Sequence, residues 1–190
     1  MVADASTVIN LNATGCAKDI IRALPNRLVI VDVIQAELEA GRQRGRQDSD
    51  LLSQLVSSGF LHIVKLGDVG AEHFESLVVG PAVSTLDDGE AATIAYAIEH
   101  HGIAVIDERK ANRLCAQNFP TLRLGCTVDI LTHTAVEASL GIDNLADAVF
   151  KALYHGRMRV FPNHVEWVVS LIGTRQAATC PSLPRSARRE

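Results

Sequence analysis

Asp4, Glu37, Glu90 and Asp107 are the residues of this chain whose types and settings could do chemistry together. Asp4 and Asp107 each follow a short apolar run, Met1-Val2-Ala3 and Ile103-Ala104-Val105-Ile106, which reads as a buried strand. Glu37 and Glu90 lie in or near the first turns of segments with amphipathic helical spacing. In a parallel sheet the carboxyl ends of the strands share one edge, and ligands bind there. Carboxylates gathered at that edge lose solvation and repel one another, so such a cluster calls for a cation. Mg2+ takes oxygen ligands, keeps several waters and is held by a few carboxylates plus substrate phosphate. One or two such ions activate water and stabilise the leaving oxygen in phosphodiester cleavage.

Each acid also has a plainer use. Asp4 and Asp107 stand where a helix N-cap would. Glu37 could be a solvated face residue, as Glu39 is expected to be. Asp87-Asp88-Gly89-Glu90 has capping-box spacing, and if Glu90 serves the helix start, Asp87 or Asp88 becomes the third acidic ligand. Asp32, after another β-branched run, reads as a cap. The Ser6 hydroxyl suits a metal-bound water, the Asp4 carboxylate or a backbone cap. Arg42, Arg44 and Arg46 alternate with polar residues after the Glu37 helix, either as a solvated loop or as a clamp for backbone phosphates beside the acids.

The elements that must position these groups follow from periodicity. Helices are expected over 6–12, from Asp32 to Gly41, over 48–58, over 71–79, from Asp87 to about His100, and over 109–117. Strands are expected at 27–31, 61–66, 103–106 and 122–127. The alternation implies a parallel sheet between helices. Beyond it, 128–139 reads as one helix, and 144–173 as a helix, a turn at Gly156, an extended piece over 158–161 and a final helix. Residues 174–190, with Pro181, Pro184 and several Arg, read as a disordered basic tail after a domain of 1–173.

The 190 residues suffice for one domain with its own core. Apolar residues make up 47% and aromatics 4%, so Leu, Ile, Val and Ala must build the interior. A net charge of −4 excludes a generally basic nucleic-acid binder but not a local basic patch. Cys16, Cys115, Cys126 and Cys180 show no CxxC pairing or zinc-like spacing, and are expected as reduced thiols in a cytoplasmic protein. No apolar run reaches the roughly 20 residues needed to span a bilayer, and no signal peptide is expected.

Val2-Ala3-Asp4-Ala5-Ser6-Thr7 resembles the opening motif of PIN-domain proteins, an apolar strand, Asp, then Ser or Thr two residues on. Leu86-Asp87-Asp88-Gly89-Glu90-Ala91 and Val105-Ile106-Asp107-Glu108-Arg109 resemble a bacterial branch of that family described as predicted nucleic-acid-binding proteins. The resemblance spans about residues 1–172. It implies a three-layer α/β/α sandwich with a mostly parallel central sheet, and a Mg2+- or Mn2+-dependent ribonuclease. Glu37 matches the family's helix-borne Glu, and the pattern favours Glu90 as the middle acid. Many relatives are toxins of toxin–antitoxin pairs, which implies RNA as substrate, a small antitoxin as partner and a possible homodimer. A haloacid-dehalogenase-type phosphotransferase also begins with strand-Asp, but has a second Asp where this chain has Ser6. No glycine-rich loop follows the first strand, which excludes a Rossmann nucleotide site.

Overall fold

A computed structural model describes residues 1–42 and 47–188. In chain order the elements are β1 (Val2–Ala3), α1 (Ala5–Ala13), α2 (Ala17–Ala23), β2 (Val29–Val31), α3 (Asp32–Arg42), α4 (Asp48–Ser57), β3 (His62–Val64) and α5 (Asp68–Val78). Then come α6 (Asp88–Glu99), β4 (Ile103–Val105), α7 (Arg109–Asn118), β5 (Arg123–Gly125), α8 (Thr127–Leu131), α9 (Thr134–Leu140), α10 (Ile142–Tyr154), a 3-10 turn (Pro162–His164), α11 (Val165–Ile172) and α12 (Thr174–Ala178). Two compact units result, residues 1–8 with 26–125, and residues 9–25 with 126–190.

The first unit is an α/β sheet structure. Its five strands are all parallel, in the order β3-β2-β1-β4-β5, and helices flank them. Val2 pairs with Val29 on one side and with Ala104 on the other, so β1 is the centre of the sheet. Its strands are short and apolar because both faces are covered, which is the usual condition of parallel sheets. Helix α6 is the main lid of this core. Ala91, Ala92, Ile94, Ala95 and Ala97 are all fully buried, and the alanines let its backbone approach the strands closely. The Asp87 carboxylate starts this helix by accepting the Glu90 N–H at 2.8 Å.

The second unit is helical and buries Leu145, Val149, Leu153, Val136 and Val168. It differs from the sequence expectation in three places. Helix α2 has no counterpart among the expected elements; the residues it buries are Ile20 and Ile21. The single helix expected over 128–139 is two, because His133 turns to an extended conformation and its Nδ1 accepts the Ala135 N–H at 3.2 Å, capping α9. Residues 158–161, expected as an extended piece, carry no helix, and Phe161 is extended. In the segment expected as a disordered tail, α12 forms over Thr174–Ala178, and Ala177, Cys180 and Leu183 are buried.

Candidate active site

Strand order places β1 beside β4, where the chain's progression across the sheet reverses. Ligand crevices of doubly wound sheets open at the carboxyl ends of such a pair. Asp4 follows β1 directly, and Asp107 lies two residues past β4. Both are almost fully buried, at 3% and 2% exposure. A β-sheet edge that buries two aspartates in this way holds one carboxylate against the charge of the other.

Asp4 also caps α1, as its plainer reading foresees. Its carbonyl accepts the Val8 N–H at 3.2 Å, Oδ1 accepts the Thr7 N–H at 2.7 Å, and Oδ2 accepts the Ser6 hydroxyl at 2.7 Å. The cap does not exhaust the group. Burial, and then the charge of Asp107, push the Asp4 carboxyl up to about 6 against the pull of the Thr7 and Ser6 hydrogen bonds. A group used only as a cap in this geometry would have its pKa lowered by those bonds.

Glu90 is half-buried in the first turn of α6. Only half of the capping box forms: Asp87 takes the Glu90 N–H, while no donor among the described residues meets the Glu90 carboxylate. Burial first, then the charges of Asp87, Glu108 and Asp4, push the Glu90 carboxyl up to about 7. Burial, and then this same carboxylate, raise the neighbouring Cys115 thiol to about 11, so Cys115 is an inert filler and not a nucleophile. Asp88 is exposed in the first turn of α6.

Glu37 arrives from the other side. It is exposed on α3, yet its carboxylate lies over the backbone at the start of α6: a Cβ added to Gly89 would stand 2.6 Å from Glu37 Oε2 and 3.0 Å from Ile34 Cδ1. The absence of a side chain at 89 is what admits Glu37 to the turn that carries Glu90. Asp32, expected as a cap, is the first residue of α3.

The donors are all carboxylate oxygens, the set that suits Mg2+ or Mn2+ rather than a soft metal. Asp4 feels the charge of Asp107, and Glu90 feels that of Asp4, so these three share one electrostatic field. They are not drawn into a tight cage; among the described residues, no three acids have ligand oxygens within 4.8 Å of one another. Mg2+ tolerates that spacing because waters complete its shell. The donor type suits such an ion, and Asp4, Asp107 and Glu90 are the acids whose charges act on one another here.

The basic segment is less informative. Arg42 is exposed and ion-paired with Glu39 at 3.3 Å and with Asp50 at 3.5 Å, and surface pairs of this kind contribute little. Arg44 and Arg46 lie outside the described residues. Glu39 is no idle face residue, since the Ser49 hydroxyl also donates to it, joining α3 to α4.

Several positioning groups escaped the sequence reading. The Thr7 hydroxyl, fully buried, donates to the Val105 carbonyl at 3.1 Å, and the Asp4 N–H donates to the same oxygen at 3.2 Å. Asn112 Nδ2 donates to the carbonyls of Ile106 and Glu108 at 2.9 and 3.0 Å, bracketing Asp107. Glu108 adds a further negative charge near Glu90. The one available signal was their closeness in sequence to the two aspartates.

A doubly wound, all-parallel sheet of order β3-β2-β1-β4-β5 with two buried aspartates at its switch point defines the α/β class of this unit. The chain belongs to the PIN-domain family DUF3368, whose family model matches residues 1–174. PIN domains are typically nucleases acting on nucleic acid. Searches of curated proteins and of solved structures found no match. No helix among the described residues is long and apolar enough to cross a membrane.

Proposed function

We propose that the chain is a Mg2+- or Mn2+-dependent ribonuclease that acts as the toxin of a toxin–antitoxin pair. The observation that carries the reading is the family match over residues 1–174 joined to two buried aspartates past the carboxyl ends of neighbouring strands, and burial and like charge push the Asp4 and Glu90 carboxyls up with no cationic partner among the described residues. Structural acids of that kind are usually relieved by an Arg or Lys; functional ones are relieved by what they bind.

In this reading Asp4, Asp107 and Glu90 hold the ion, and the Ser6 hydroxyl fixes the Asp4 carboxylate in place. A bound divalent ion supplies Lewis-acid polarisation of the scissile phosphodiester and a water of lowered pKa. Asp4 and Glu90 give up their protons as the site fills, since only the carboxylate forms bind well. Glu37, held over Gly89, orients water at the rim of the site. Arg42, Arg44 and Arg46 supply cationic contacts to the RNA backbone, for which Arg42 exchanges its surface partners. The free cysteines suit the reducing cytoplasm. A small antitoxin, and a second copy of the chain, are the expected protein partners.

The test is incubation of the purified chain with structured and single-stranded RNA, with Mn2+ or Mg2+ and with EDTA. Cleavage that requires the ion supports the reading. Metal-independent RNA binding without cleavage would make this a non-catalytic PIN-like binding module instead. Growth arrest on expression, relieved by a small neighbouring gene, tests the toxin role.

A further inference from the structure

We infer that Cys126, Asp129 and His164 form a second metal site, selective for Zn2+ and separate from the acidic edge. One ligand atom from each of the three lies within 4.8 Å of the others, and among the described residues they are the group of His, Cys and acidic side chains gathered in this way. All three belong to the helical unit. Cys126 precedes α8, Asp129 sits in its first turn, and His164 ends the Pro162–His164 turn.

A thiolate, an imidazole and a carboxylate are the donor types of zinc, and three protein ligands leave one position of its tetrahedron for water. Mg2+ would not choose this set. The exposure agrees with that division: Cys126 is buried, the His164 side chain is mostly buried, and the Asp129 side chain stands 49% exposed, marking the open side. The carboxylate is also oriented from behind. Asp129 Oδ2 accepts the Cys126 N–H at 2.8 Å, which turns Oδ1 toward His164 Nε2, 3.0 Å away. Metal ligands are commonly aligned by such a second hydrogen bond. Zinc held by these three side chains would release the Cys126 thiol proton and tie the turn before α11 to the start of α8.

The plain alternative is a helix cap beside a surface His–Asp pair. It accounts for the Asp129 bonds and for the Cys126 thiol, which takes the Asp129 N–H in the capping box, but a cap is ordinarily a Ser, Thr, Asp or Asn, and the box by itself does not bring His164 Nε2 to the same carboxylate.

Cobalt(II) reports the difference directly, because a Co2+–thiolate bond gives an intense near-ultraviolet charge-transfer band. The full chain, stripped with chelator, should bind one equivalent of Co2+ with that band and lose it to one equivalent of Zn2+, but not to excess Mg2+. Cys126→Ser should abolish the band. His164→Gln, which keeps the thiol and a polar side chain of similar reach, should weaken binding by more than the roughly 10–100-fold typical of an outer-shell partner. Asp4→Asn should leave the band unchanged, which separates this site from the proposed nuclease centre. A folded wild-type chain with no band, or a band that survives Cys126→Ser, would overturn the assignment and leave a helix cap.

Discussion

The Asp87 carboxylate accepts the Glu90 N–H at 2.8 Å, and the Glu90 carboxylate returns no bond to Asp87. One acid starts the helix, and in the proposed function the other holds the ion. Substitution should separate the two roles. Glu90→Gln should lower metal-dependent cleavage by about 10²–10³-fold, the usual scale for removing one preorganised charged group, without lowering Tm. Asp87→Ala should cost about 0.5–2 kcal/mol of stability through removal of the cap, while Asp87→Asn should be near neutral in both respects. Paired thermal melts and cleavage rates check this. An active Glu90→Gln protein beside an inactive Asp87→Asn protein would reverse the two assignments.

Gly89 offers a test of Glu37 that leaves every acid in place. Alanine is the better helix former by up to about 1 kcal/mol, yet its Cβ would meet Glu37 Oε2 at 2.6 Å. Gly89→Ala should therefore stay folded with a Tm near that of wild type, the helix gain set against the push on Ile34 Cδ1 at 3.0 Å, while cleavage falls toward that of Glu37→Gln, since a displacement near 1 Å can cost about 10²-fold. Full activity in a well-folded Gly89→Ala chain would remove Glu37 from the site.

The raised carboxyls also set a pH dependence. Asp4 goes from 3.8 to about 6 on folding, and Glu90 from 4.5 to about 7. Between those values the folded state binds more protons than the unfolded chain, so stability must fall as pH rises. In EDTA, Tm should climb as pH is lowered from above 7 toward 4.5, by about 2–4 °C for each kcal/mol recovered. Asp4→Asn, which retains a capping oxygen, should flatten this slope and melt at or above wild type at neutral pH. Saturating Mn2+ should stabilise wild type most at high pH, where the carboxylates are ionised, and cleavage should rise over the same range. A wild-type Tm that drops steadily from pH 7 to 5 in EDTA would contradict the shared repulsion.

Much of the site could be read from the chain because a strand followed by an acid is a local pattern. Asp4 and Asp107 each end an apolar run, and parallel pairing alone brings those ends together. The same reading missed Thr7 and Asn112, whose value lies in their partners: Thr7 bonds a carbonyl 98 positions away, and Asn112 draws in strand-end carbonyls that no periodicity marks. The sheet was legible from its β-branched runs. The helical unit was less so, because α2 rests on two isoleucines, His133 splits an otherwise continuous pattern, and the last segment buries isolated residues such as Cys180 and Leu183. Cys126 and His164 are 38 positions apart, a separation that no zinc motif would flag.

The arginine segment should act on affinity and not on turnover. Replacing Arg42, Arg44 and Arg46 together should raise KM and flatten the salt dependence, because each phosphate left without its cation lowers the log–log slope by about 0.7 on a single strand. An unchanged KM and slope would make the segment an ordinary solvated loop, and the Arg42 pairs with Glu39 and Asp50 would be its whole role.

The most direct measurement is single-turnover cleavage of a labelled RNA in Mn2+ by wild type and by Asp107→Asn, with circular dichroism confirming that both are folded. Asp107 is buried just past the end of β4, and its charge raises the Asp4 carboxyl, so its amide should bind Mn2+ weakly and cleave at least about 10²-fold more slowly. Wild-type cleavage that EDTA abolishes, together with a folded and inactive Asp107→Asn chain, is the predicted result. A folded Asp107→Asn chain that cleaves at the wild-type rate would contradict the assignment of this edge as the catalytic centre.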